Sequence, residues 1–169
     1  STAVDTKEGK LILDSHKLPY HMDRVQAWES GERIAPISVD MALTRACGAM
    51  CTFCYAMVQE SQERSSVKTP VALKLVDDFE RLGIRSVSLV SDGESTLSPA
   101  YVPFIKHAYD AGIDVGNGTN GWEWEPEKIE QVLPYLTWVR FTVAAGRPNT
   151  YADMMYKGPE HTQVFDRAM

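Results

Sequence analysis

From residue 34 onward the chain alternates strand-like and helix-like runs, at roughly 25-residue intervals after a longer first unit. Residues 34–43 read as a first strand, because Ile37, Val39, Met41 and Leu43 alternate with Ser38, Asp40 and Ala42. Residues 86–90 and 138–143 read as two more, and 113–115 begins another, which runs into Gly116-Asn117-Gly118-Thr119-Asn120-Gly121. Between them lie amphipathic helices. The first opens at Thr69-Pro70, with Pro suited to the first helical position, and stops at Gly83. Its apolar stripe is Val71/Ala72, Leu75/Val76, Phe79 and Leu82. The second opens at Ser98-Pro99, with Val102, Ile105, Ala108 and Ala111 inward and Gly112 at its end. The third opens at Pro126 and presents Ile129, Val132, Leu133 and Leu136. A fourth helical stretch begins at Thr150.

Such alternation predicts an α/β fold with a parallel sheet and right-handed crossovers. It does not by itself choose between an open sheet and a closed barrel. Residues 1–33 are polar and mixed, with one short helix over 21–30 closed by Gly31, and read as an N-terminal extension packed on a core of residues 34–169. Residues 14–20 and 55–68 read as loop. The final residue falls inside a helical pattern with no cap. The expectation is therefore the N-terminal part of a longer protein, lacking at least two strands.

Composition sets outer limits. Hydrophobic residues make up 44%, enough for a core. No apolar run is long enough to span a membrane. A net charge of −6 and the lack of a basic cluster argue against nucleic acid as a partner. The three cysteines are an odd number in a short acidic chain. That disfavours a disulfide framework and points to a reducing, cytoplasmic setting.

All three cysteines fall in Cys47-Gly48-Ala49-Met50-Cys51-Thr52-Phe53-Cys54, directly after the first strand. A structural zinc site wants four ligands. The fourth would have to be His16, His21, His107 or His161, none of them close in sequence. A [4Fe–4S] cluster takes one cysteine per iron, so a triad leaves one iron open to a chelating small molecule. The C-x3-C-x2-C spacing with an aromatic, Phe53, before the last cysteine resembles the signature of the radical S-adenosylmethionine (radical SAM) superfamily. The resemblance implies a partial (β/α)6 TIM-like barrel, truncated after its fourth strand. It also implies a [4Fe–4S] cluster on Cys47, Cys51 and Cys54, with S-adenosylmethionine as second cofactor.

Functional groups of parallel α/β folds gather at the C-terminal ends of strands, and this chain has candidates at each. Taken alone, Asp92-Gly93 and Asn120-Gly121 are turn dipeptides, and Arg140 is an ordinary ion-paired strand residue. Their joint occurrence behind the cysteines is harder to explain that way. Ser91-Asp92-Gly93-Glu94 is similar to the family's Gly-Gly-Glu segment, with Asp92 where the first glycine is usual. This implies that Gly93 and Glu94 hold the amino group of the methionine moiety. The resemblance further implies Thr119 and Asn120 at the ribose, Arg140 and Thr142 at the carboxylate or ribose, and Phe53 near the adenine. A common acidic position on the fourth strand is Ala144 here, so no substrate role can rest on that carboxylate.

The implied activity is reductive cleavage of S-adenosylmethionine to a 5′-deoxyadenosyl radical, which abstracts hydrogen from a substrate. An electron donor such as flavodoxin or ferredoxin is implied with it. The substrate is expected to be a peptide or protein. A small metabolite, such as a sugar, nucleotide or antibiotic precursor, is the alternative. A non-catalytic iron–sulfur or zinc-binding module is the reading of another class. Tyr55, Trp122 and Trp124 are placed either at the mouth of the site or in packing.

Overall fold

The computed structural model describes residues 2–6, 9–13, 18–57, 65–156, 162 and 165–166. The chain forms two compact units, Ser1–Ala35 and Pro36–Met169. The first contains a hairpin that the sequence reading did not foresee. Strands β1 (Thr2–Thr6) and β2 (Gly9–Leu13) pair antiparallel, from Thr2↔Leu13 to Thr6↔Gly9. A 3₁₀ turn over Leu18–His21 replaces the end of the expected loop, and helix α1 (Met22–Glu29) follows. Gly31 closes this segment at φ 82.

The second unit is built on a parallel sheet of β3 (Ser38–Asp40), β4 (Ser86–Leu89), β5 (Asp114–Thr119) and β6 (Trp138–Phe141). The strands lie in sequence order, β3-β4-β5-β6. Each new strand thus adds on the same side. A doubly wound sheet reverses direction at a switch point, and this one does not. With right-handed crossovers, such an order puts the connecting helices on one face, as in a barrel wall. The sheet therefore decides what the alternation of elements left open.

Two strands differ from expectation. β3 is three residues long, not ten. Pro36 has no N–H to give at its start, and after Met41, whose N–H still reaches Ser88 O, the chain leaves the ladder. Thr44 instead bridges antiparallel to Ser66. β5 begins at Asp114 rather than Ile113 and runs on through Gly116-Asn117-Gly118-Thr119. These glycines are strand residues because of what faces them. A Cβ on Gly116 would enter the Trp138 indole, and one on Gly118 would lie 2.6 Å from Val90 Cγ1.

Helices α2 (Thr69–Leu82), α3 (Tyr101–Asp110), α4 (Pro126–Val132) and α5 (Pro148–Tyr156) follow the strands in turn. α2 buries Ala72, Val76 and Phe79 and leaves Val71 and Leu82 exposed. Gly83 ends it in the left-handed region, φ 71. In α3 the inward set is Tyr101, Phe104, Ile105 and Ala108. Val102 and Ala111, expected inside, are only half-buried, while Tyr101 and Phe104 are fully buried. α4 buries Val132, while Leu133 lies exposed in the 3₁₀ turn that follows.

Candidate functional site

The loops at the C-terminal ends of β3 to β6 enclose a cavity of about 460 Å³. Its lining includes Cys47, Cys51, Phe53 and Cys54 from the first loop, and Gly93 and Glu94 from the second. Thr119 and Asn120 come from the third, Arg140 and Thr142 from β6 and just beyond. Every site residue proposed from the sequence faces this one space. Such volumes are typical of small-molecule sites.

The base of the cysteine loop is stitched to the β4 loop. Gly93 has φ 78 and packs against the backbone of Thr44 and Arg45, where a Cβ would lie 2.8 Å from Arg45 Cα. That contact and that conformation both demand glycine. The Glu94 N–H donates to Ala46 O at 2.8 Å. The Glu94 side chain is 3% exposed. Its Oε2 accepts from the Asn120 N–H at 2.8 Å and its Oε1 from the Thr96 hydroxyl at 2.9 Å. Burial nevertheless raises its pKa above the ordinary carboxylate value, outweighing the hydrogen bonds from Asn120, Thr96 and Thr119 that lower it, and the Glu123 charge adds to the rise.

The far side of the cysteine loop rests on α5. The last carbonyls of a helix have no partner within it. Here Met155 O accepts from the Met50 N–H at 2.7 Å, and Met154 O from the Thr52 N–H at 2.8 Å. The loop thereby caps the helix. Ala49 is buried with Tyr151, Met155 and Tyr156, and Cys51 Sγ lies 3.5 Å from Met155 Sδ. Ala144 packs on the same cluster, so the position expected to be acidic in relatives serves apolar packing here.

The thiols are chemically distinctive. Burial pushes Cys47 up to about 12, against a backbone hydrogen bond from Ala49 that lowers it, while the Glu123, Glu94 and Cys51 charges add to the rise. Cys51 is raised by burial and by Cys54. Asn120 Nδ2 lies 3.8 Å from Cys47 Sγ. In the cluster-free protein these are thiols, and a bound metal deprotonates them. Among the described residues no three His, Cys, Asp or Glu side chains form a site for a single ion. Of the histidines considered for zinc, His107 pairs with Asp77 at 2.7 Å on the outer helices. His16 and His161 lie outside the described residues. Three cysteines on one loop, opening on one cavity, fit a cluster that takes one thiolate per iron.

Several lining residues had no role from sequence. Arg45 and Asp92 form an ion pair at 2.8 Å in the wall. Tyr55 lines the cavity, as one of its two readings had it, whereas Trp124 is buried against Phe141. Trp122 packs against the apolar cluster beneath the loop. Met155 lies 104 residues from Cys51, with no local signal to link them. Glu123 presses against Gly48, and neither of its buried carboxylate oxygens has a hydrogen-bond partner among the described residues.

A family model described as the Radical SAM superfamily matches residues 41–168. Among curated proteins, the AdoMet-dependent heme synthase of Methanosarcina barkeri (strain Fusaro / DSM 804) is 26% identical over 98 residues, 58% of this chain and 28% of that protein. SuiB of Streptococcus suis, bound to S-adenosylmethionine, superposes with a TM-score of 0.66 at 15% identity, over 90% of this chain and 37% of SuiB. SuiB bound to its precursor peptide SuiA gives 0.65 at 16% identity, over 98% and 38%. BtrN in complex with AdoMet and 2-DOIA gives 0.58 at 15% identity, over 68% and 48%. The solved structures speak for the fold, an α/β sheet forming part of a TIM-like barrel. The chain spans less than half the length of each of these relatives.

Proposed function

Because the chain belongs to the radical S-adenosylmethionine superfamily, an enzyme family whose cofactors are a [4Fe–4S] cluster and S-adenosylmethionine, we propose that its cavity holds both. Cys47, Cys51 and Cys54 would carry the cluster. Together the two cofactors supply one-electron cleavage of a sulfonium and radical hydrogen abstraction, chemistry that no side chain here could perform alone. The chain's own residues bind and orient. Glu94 offers a buried carboxylate to an ammonium, a charge-assisted bond, and Gly93 lets the backbone come close. Thr119, Asn120, Arg140 and Thr142 supply polar contacts along one wall, and Phe53 flanks the mouth. The observation that carries this reading is the convergence of the cysteine loop and the three other strand ends on one cavity.

The substrate reading is a peptide or protein. It draws support from the likeness to SuiB, solved with its precursor peptide. Met50, Phe53 and Tyr55 are also exposed where they line the cavity, a surface suited to a ligand larger than the cavity. BtrN, solved with 2-DOIA, supports the second reading, a small metabolite. An electron donor such as flavodoxin or ferredoxin belongs to the proposal. So does a cytoplasmic location, which rests on three free cysteines. Among the described residues no helix is long and apolar enough to cross a membrane.

The test is anaerobic reconstitution with iron and sulfide, followed by dithionite reduction with S-adenosylmethionine. The expected result is a cluster and 5′-deoxyadenosine, both abolished in Cys51→Ala. A cluster without 5′-deoxyadenosine would favour a non-catalytic iron–sulfur module. Zinc in place of iron would refute the assignment outright.

A further inference from the structure

Both ends of the cysteine loop are tied to one dipeptide, Ser91-Asp92. At the entry, Arg45 Nε pairs with Asp92 Oδ2 at 2.8 Å. At the exit, the Tyr55 hydroxyl lies 3.5 Å from Ser91 Oγ, and Ser91 Oγ donates to Asp92 Oδ1 at 3.1 Å. Arg45 precedes the first cysteine by two residues and Tyr55 follows the last by one. The two oxygens of a single carboxylate thus join the ends of the segment that carries all three thiols. The ion-paired side chains are only 26% and 23% exposed, so solvent screens the contact less than at an open surface. All four residues line the cavity.

We propose that Arg45, Asp92, Ser91 and Tyr55 form a polar strap that closes the cysteine loop and sets its register against Glu94. Asp92 is the positioning residue at its centre. The inference rests on the proposed function only in naming the loop's cargo as a cluster. A carboxylate is required at the centre because it accepts on both oxygens. Asparagine can accept on one alone, and glycine on neither. Gly93 and Glu94 follow at once in sequence and are themselves bound to Thr44–Ala46. Slack in the strap would therefore move the cysteines relative to the carboxylate assigned to the cofactor's amino group.

The test separates the strap from its cargo. In the cluster-free protein, hydrogen exchange at Met50 and Thr52, whose N–H groups are bonded to α5, reports opening of the loop. Asp92→Asn is expected to speed that exchange about fivefold, the size of a partly screened ion pair. Arg45→Gln should do the same. The Arg45→Gln/Asp92→Asn double variant should be no faster than either single one, because both remove one link. In reconstituted protein, Asp92→Asn should release iron to a chelator about fivefold faster. It should also broaden the change that S-adenosylmethionine makes in the reduced cluster's electron paramagnetic resonance spectrum. Exchange equal to that of the unaltered chain, or effects that add in the double variant, would overturn the strap. An unaltered spectrum beside faster exchange would overturn the positioning role. Failure of the unaltered chain to take up iron would count against the proposed function and leave the exchange result to stand or fall alone.

Discussion

Gly93 and Gly112 share a left-handed backbone but not their surroundings, so paired alanine substitutions isolate the packing at the site. Their φ values are 78 and 70. Around Gly112 a Cβ would meet nothing within 4 Å, so Gly112→Ala bears the backbone strain alone, about 1 kcal/mol. At Gly93 the same atom would lie 2.8 Å from Arg45 Cα and 2.9 Å from Arg45 C. These are backbone atoms, and they cannot swing aside as a flexible side chain would. Forcing the two loops apart adds about 1–3 kcal/mol. It also stretches the bond from the Glu94 N–H to Ala46 O. Gly93→Ala is therefore expected to destabilise the cluster-free protein by about 2–4 kcal/mol, and Gly112→Ala by about 1. Urea unfolding of both variants measures this through the midpoints, provided the slopes agree. Equal losses in the two variants would show that the strand-end loops do not press on each other at Gly93.

Gly116→Ala should displace the Trp138 indole, which occupies the space its Cβ needs. A red-shifted tryptophan emission and a loss of about 1–3 kcal/mol are expected, and an unshifted spectrum would contradict the ring's placement. Glu94 gives a pH effect of definite sign. Burial raises its pKa from 4.5 in the folded, cluster-free protein, so the fold holds that proton more tightly than the unfolded chain does. The resulting stability is fully present below the ordinary value and is lost as pH rises through the raised one. Glu94→Gln should flatten that part of the stability–pH curve, and an unchanged slope would mean another group is responsible.

Local signals determined much of this chain. Thr69-Pro70 and Gly83 bracket α2 because a proline at the first turn and a left-handed glycine at the end act within a few residues. The cysteine spacing put three thiols on a loop after a strand, and Glu94, Asn120 and Arg140 could be named from their places at strand ends together with the family resemblance. What depended on partners distant in sequence was not legible. The order β3-β4-β5-β6 is a choice among pairings, and no single strand encodes it. The need for glycine at 116 and 118 shows only once Trp138 and Val90 are set against them. The inward face of α3 is Tyr101, Phe104, Ile105 and Ala108 rather than the expected Val102, Ile105, Ala108 and Ala111, a rotation set by packing against distant parts of the chain. The bonds from Met50 and Thr52 to α5, and the Arg45–Asp92 pair, join residues that only the folded chain brings together. Periodicity and end signals are properties of a few neighbouring residues. Register, strand order and the closing of a site are set by which surfaces meet, and that is decided once the whole chain has packed.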